Sequence, residues 1–164
     1  FDTAYFYCGS EEATGKALVA RHSRDKYTIA TKLNAGAAKD EADAKQQIYT
    51  SLERLGTDYI DYYLLHAIGA GNLPKYNEYG LWDYIKELKE KGIVRHIGFS
   101  FHGSPQLLEK LMPPRYIQAH PMRALPSQSL LLSISHMEAL PLPRQVSYQT
   151  QRHSWTQCQL YLSL

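Results

Sequence analysis

Cysteine is nearly absent. The 164 residues hold two, Cys8 and Cys158, far apart and in no metal-ligand spacing. Without a Cys-x2-Cys pair there is no iron–sulfur or structural zinc motif to assign, and a reduced, cytoplasmic setting is the expectation. No run of about 18 apolar residues is present, so no transmembrane helix and no membrane partner are expected. Excess charge is also missing. Eighteen Lys and Arg stand against sixteen Asp and Glu, a net +2, and nothing in that balance calls for a nucleic-acid partner. No Gly-x-Gly-x-x-Gly follows a strand-like segment, and no Gly-x-x-x-x-Gly-Lys-Ser/Thr occurs, which argues against an open dinucleotide-binding sheet and a P-loop nucleotidase. The first residue is Phe1 rather than Met, and the pattern opens in mid-strand, which reads as a start inside a longer protein.

Glycine gives the most informative absence. All ten glycines precede Ser104, and every Lys and Asp precedes Pro113. Beyond that point the only acidic residue is Glu138, and the basic charge comes from Arg115, Arg123, Arg144 and Arg152. A globular segment of that length normally carries glycine at about 7%. Two pieces are therefore expected. Residues 1–112 form one, and residues 113–164 form a tail of irregular structure, derived either from a shifted reading frame or from a divergent segment. Within it only "SLLLSIS" (129–135) reads as a strand, amid frequent prolines.

The first piece alternates. "FDTA" (1–4), "YTIATKL" (27–33), "YIDYYLLHA" (59–67) and "VRHIGFS" (94–100) read as strands. Helices are expected over 10–22, with Ala13, Ala17, Leu18 and Val19 inward, and over 40–55, with Asp40 as N-cap and Gly56 past the end. Two more are expected over 79–92 and 104–112, the last with Pro105 in its first turn. Four strand–helix repeats of roughly 30 residues imply a parallel sheet. The expected fold class is α/β, a partial TIM-type (β/α)8 barrel of about four βα units with an irregular C-terminal tail.

Each strand delivers a polar group at its C-terminal end. Asp2 closes the first, with Tyr7 on the loop beyond it; Lys32, His66 and Ser100 close the others. In TIM-type barrels that face carries the chemistry. A phenol has an unperturbed pKa of about 10. A nearby ammonium favours the phenolate, so Lys32 is expected to lower the pKa of Tyr7, with Asp2 holding Lys32 charged and aimed. His66, neutral or charged, is placed to hydrogen-bond a substrate oxygen. The set describes a general acid facing a carbonyl oxygen, and such an acid needs a nucleophile at carbon, for which hydride is suited.

"DTAYFYCGSEE", "IATKL", "DYYLLHA" and "GIVRHIGFS" resemble the aldo-keto reductase family, in its order and roughly its spacing, over residues 1 to about 112. The resemblance implies a (β/α)8 barrel that uses NADPH or NADH without a Rossmann domain and reduces aldehydes and ketones. The family's Asp, Tyr, Lys and His tetrad falls on Asp2, Tyr7, Lys32 and His66, with tyrosine as proton donor. The serine that contacts the nicotinamide amide falls on Ser100. Phe101 stands where the family usually has Asn, and Cys8 is inserted before Gly9 where Tyr-Gly is the common form. The motifs around Tyr7 and Phe99 look most like those of bacterial reductases.

Other readings stay beside this one. Lys32 is a candidate Schiff-base lysine of a lyase, and the chain is a candidate non-catalytic, cofactor-binding regulatory subunit of a channel. Tyr7 as a packing residue, Lys32 as an exposed strand end, His66 as a satisfied core histidine and Ser100 as a strand terminator are the structural alternatives. His96 and His102 read as structural or surface residues, and Cys8, with no base nearby, is not read as a nucleophile. The loop over 68–80 is long, and Tyr76, Tyr79 and Trp82 are candidates to line a substrate pocket. A full barrel takes about 250 residues. Four units alone are expected to leave bare strand edges that self-associate, and to lack activity.

Overall fold

The computed structural model describes residues 1–111 together with two short strands, Leu132–Ile134 and Cys158–Leu162. In chain order the regular elements are α1 (Ser10–Thr14), continued by a π-helical turn Gly15–Val19, then β1 (Ala30–Leu33), α2 (Glu41–Leu55) and β2 (Ile60–Ile68). They are followed by α3 (Leu73–Glu78), α4 (Leu81–Glu90), β3 (Val94–Phe101) and α5 (Pro105–Leu111), and then by β4 (Leu132–Ile134) and β5 (Cys158–Leu162).

Helix α2 forms where its end signals place it. The Asp40 carboxylate accepts from the Asp43 N–H at 2.8 Å, and Gly56 takes the left-handed conformation (φ 68°) that returns its N–H to the Leu52 and Glu53 carbonyls. Ala44, Ile48 and Leu55 then recur on the buried face. The helix expected over 10–22 ends at Val19, its second half a π turn, and Gly15 lies against the end of α2, where a Cβ would meet the carbonyl oxygens of Arg54 at 2.7 Å and Leu55 at 2.9 Å. That close approach to the end of α2 occurs where the ladder widens into a π turn. Leu18 and Val19 pack against the core, whereas Ala13 and Ala17, expected inward, are exposed.

Three parallel strands carry the sheet. Lys32 lies opposite Leu64, and Leu64 opposite Gly98. The expected first strand is an extended segment alongside β1 rather than a full strand. Ala30 N donates to Phe1 O and Thr3 N to Ala30 O, both at 2.8 Å, with a single bridge at Asp2. Alternation then sorts the side chains. Leu33, Tyr63, Leu65, Ile97 and Phe99 join the core that includes Ile48, Leu55, Ile85 and Leu88 from the helices. Lys32, Leu64, His66 and Ser100 lie on the other face and are also buried, as parallel sheets require.

The parallel alternation ends at β3. Its free edge is taken by β5, antiparallel, with Ser100 opposite Gln159, and β4 pairs with β5 in parallel. The bare edge expected beside β3 is therefore covered, because the later segments supply backbone partners for its N–H and C=O groups. The strand expected over 129–135 is present at its centre; the other residues of 113–164 lie outside the described ones.

The N-terminal end of the sheet is closed by Asp61, which is 2% exposed. Its carboxylate accepts from Arg24, from the Ile29 N–H at 2.9 Å and from Arg95 at 3.1 Å. The two guanidinium groups stack on the Tyr59 ring at 4.1 and 4.0 Å. Asp61→Ala leaves a buried N–H and two cations without their acceptor, and is expected to cost about 1–3 kcal/mol. The measurement is a urea midpoint; a loss below about 0.5 kcal/mol, the scatter of ordinary surface changes, would contradict the clamp.

Candidate active site

Lys32 sets the site. It points from β1 into the buried face, and its side chain has no exposed surface. A buried ammonium needs acceptors. Nζ donates to Asp2 Oδ1 at 2.6 Å and to the Thr3 carbonyl at 2.8 Å. Burial pushes its pKa down, and the Asp2 carboxylate works against that push.

Tyr7 follows on a tight turn. Its N–H donates to Ala4 O at 2.9 Å, and Gly9, at φ 69°, lets the chain enter α1. The Lys32 Nζ lies 5.4 Å from the Tyr7 ring centroid. His66 meets the same ring edge-on at 5.6 Å. Asp2, Lys32, Tyr7 and His66 thus form one contiguous cluster at the C-terminal ends of β1 and β2.

The electrostatics differ from the expected tuning. The Tyr7 phenol is pushed above its ordinary pKa, first by burial and second by the Asp2 carboxylate. The net direction is up, not the lowering expected from Lys32, whose ammonium is hydrogen-bonded to Asp2 and Thr3. His66 is pushed down to about 4, chiefly by burial and then by the charges of Lys32 and His102. It is therefore neutral at pH 7. Its Nδ1 is buried and finds no hydrogen-bond partner among the described residues.

Ser100 is 1% exposed at the end of β3. Its Oγ accepts from the Ala67 N–H at 2.6 Å, so it joins the cluster through the residue after His66. Phe101, in the place of the family's Asn, turns to the opposite face and is buried in the core. Cys8 is an exposed free thiol. Tyr76 does not line a pocket. It is fully buried on α3, and its hydroxyl donates to His66 O at 2.7 Å and accepts from the Ala35 N–H at 3.2 Å. Tyr79 and Trp82 are half-buried against the core. A surface hollow between α1 and α2, lined by Lys16, Val19, Thr50 and Glu53, contains none of the four clustered side chains.

One element of the site has no local signal in the sequence. Glu11, 1% exposed, accepts from Thr31 Oγ1 at 2.6 Å and from Arg54 at 3.2 Å. Arg54 also donates to Tyr5 O at 3.3 Å. The network fastens the turn bearing Tyr7 to the strand bearing Lys32, and its partners lie 20 and 43 residues apart in the chain. Glu11→Ala removes the acceptor from two donors and is expected to cost about 1–3 kcal/mol, read as a lower urea midpoint; an unchanged midpoint would contradict the fastening.

Among the described residues no group of His, Cys, Asp and Glu is arranged to hold a metal ion, and no helix is long and apolar enough to cross a membrane. The low His66 value has a pH consequence. The unfolded chain binds that proton near pH 6.5, the folded chain only near 4. The stability tied to His66 is therefore complete above pH 6.5 and is lost as pH falls from 6.5 towards 4. His66→Gln should flatten that part of the urea-midpoint profile. An identical slope in both proteins would contradict the burial of a neutral imidazole.

Comparison with known proteins supplies a family. The model of the aldo/keto reductase family matches residues 1–128. A methylglyoxal reductase of Yersinia pestis is 33% identical over 157 residues, which is 94% of this chain and 47% of that protein. An aldo-keto reductase of Mycolicibacterium smegmatis is 40% identical over 110 residues, covering 65% of this chain and 36% of that one. The crystal structure of an aldo/keto reductase from Brucella melitensis superposes with a TM-score of 0.53 at 33% identity, over 74% of this chain and 43% of that one. The chain thus spans about a third to a half of the length of these relatives.

Proposed function

This chain belongs to the aldo/keto reductase family, and on that premise we propose that its site reduces small aldehydes or ketones to alcohols with NADPH or NADH, Tyr7 giving the proton. The observation that carries the reading is the cluster itself: the 2.6 Å Asp2–Lys32 pair, Lys32 beside the Tyr7 ring, and a neutral His66 against its edge. The cofactor supplies hydride to the carbonyl carbon when bound. Ser100 suits its carboxamide end, because the buried Oγ accepts one bond from Ala67 and keeps its own hydrogen to donate.

The raised Tyr7 pKa fits this role. A phenol that holds its proton at neutral pH yields it to a more basic oxygen, and the oxygen of a carbonyl under reduction becomes alkoxide-like. The ammonium of Lys32 then favours the phenolate left behind. His66, neutral, donates one N–H to the carbonyl oxygen and orients it. The tautomer protonated at Nε2 buries only a lone pair at Nδ1, which costs less than an orphaned N–H.

The Schiff-base reading is less well supported. Lowered lysine pKa is the direction it needs, but the Lys32 nitrogen is inaccessible and donates to two acceptors. Borohydride in the presence of an aldehyde should leave Lys32 unmodified.

Alone, the 164-residue polypeptide is expected to turn over little, since it spans less than half of these relatives. Dimers or larger species at micromolar concentration in size-exclusion chromatography are the accompanying expectation. The residue roles are tested in a chimera in which residues 1–111 replace the matching part of the Yersinia pestis relative. It should oxidise NADPH in the presence of a small aldehyde. Tyr7→Phe should lower kcat by about 100-fold or more, the scale of a lost general acid, with NADPH affinity kept. Full turnover in Tyr7→Phe would overturn the reading.

A further inference from the structure

The ladder between β2 and β3 is broken at one place. Leu65 lies opposite Phe99 and Ile68 opposite Phe101, so His66 and Ala67 together face Ser100 alone. This is a β-bulge, a device that re-aims a side chain. Its second residue, Ala67, is the only non-glycine residue with positive φ (54°) among those described. Alanine in the left-handed region is held there only by its surroundings.

Those surroundings are specific. The peptide joining His66 to Ala67 is gripped at both polar ends by side chains rather than by the ladder. Tyr76 donates to His66 O at 2.7 Å, and Ala67 donates its N–H to Ser100 Oγ at 2.6 Å. The next carbonyl, Ala67 O, accepts from Asn72 Nδ2 at 2.9 Å, and the same amide accepts from the Gly69 N–H at 2.9 Å. Fixing that peptide plane fixes the direction in which the His66 side chain leaves the strand. Among the described residues the imidazole has no hydrogen bond at Nδ1 to hold it, which leaves the backbone and packing a larger share of that task.

We propose that Ser100, Tyr76 and Asn72 are positioning residues that hold the His66–Ala67 bulge open and thereby aim His66 at Tyr7. Ser100 holds the Ala67 N–H through its oxygen and keeps its own hydrogen, with which it would hold the cofactor amide, so that cofactor binding would be felt at the peptide that carries His66. The proposal rests on the reading of His66 as the group that orients the carbonyl. The test below is made without substrate, so its failure is separate from that of the reading, which falls if His66→Ala leaves the chimera's carbonyl reduction unchanged.

The experiment is 15N NMR of the full 164-residue chain with labelled histidine, His66 being assigned by its loss in His66→Ala. In the unsubstituted chain the imidazole should titrate near pH 4. Ser100→Ala and Tyr76→Phe should each raise that midpoint by about one unit or more and shift the ring nitrogens. Ser100→Ala should also speed exchange of the Ala67 amide by about tenfold or more, while the Leu65 and Ile97 amides keep their protection. Ser100→Thr, which keeps the hydroxyl, should restore the original behaviour. A merely structural role would lower global stability without moving the His66 midpoint. Should Tyr76→Phe fail to fold, Asn72→Ala, at a partly exposed position, is the deciding variant and should show the same shift. Folded variants with an unchanged His66 midpoint and ring shifts would overturn the proposal.

Discussion

A lysine with no exposed surface must have its charge answered where it lies. In this chain the answer is Asp2, 2.6 Å away on the neighbouring extended segment, with the Thr3 carbonyl completing the set. Much else follows from that one requirement. The segment over residues 1–5 has to run beside β1, which the bonds between Phe1, Thr3 and Ala30 secure. The turn after it then brings Tyr7 back over the same ammonium. Glu11 and Arg54 fasten this turn from behind. The site is therefore built by two adjacent strand ends and one tight turn, on the sheet face opposite the one that packs against the helices.

The environment divides the roles of the titratable groups. Burial pushes Lys32 down and Tyr7 up, and it holds His66 neutral. A lysine paired with a carboxylate, a phenol that keeps its proton at neutral pH and a neutral imidazole within one cluster are the set on which the proposed proton transfer to a carbonyl oxygen rests. The bulge at His66 and Ala67 adds the direction. In a regular parallel ladder the N–H and C=O of that peptide, which point opposite ways, would be taken by the backbones of the two flanking strands, whereas here Ser100 of β3 and Tyr76 of α3 receive them.

Much of this was legible in the sequence because its causes are local. Asp40 and Gly56 mark the ends of α2 through short-range capping, and both do so in the structure. The β-branched and aromatic runs around Thr31, Tyr63 and Ile97 are strands because they are buried on both faces. Asp2, Tyr7, Lys32 and His66 could be named because each sits at a strand end or just past it. What stayed illegible depends on distant partners. Gly15, where the π turn begins, lies against the carbonyls of Arg54 and Leu55. The direction of the Tyr7 shift depends on its burial and then on the Asp2 carboxylate, which spacing does not reveal. Tyr76, one of three candidates to line a pocket from its place in a long loop, is a buried brace. Sheet order beyond β3 is antiparallel, against the rhythm of the preceding units.

The central claim is that Asp2 keeps the buried Lys32 charged and thereby organises the site. The most direct test is the titration of Lys32, followed by 13C at Cε, in the chain and in Asp2→Asn. The account predicts a lysine that is protonated at pH 7 with Asp2 present and loses its proton at clearly lower pH without it. The same midpoint in both proteins would contradict it.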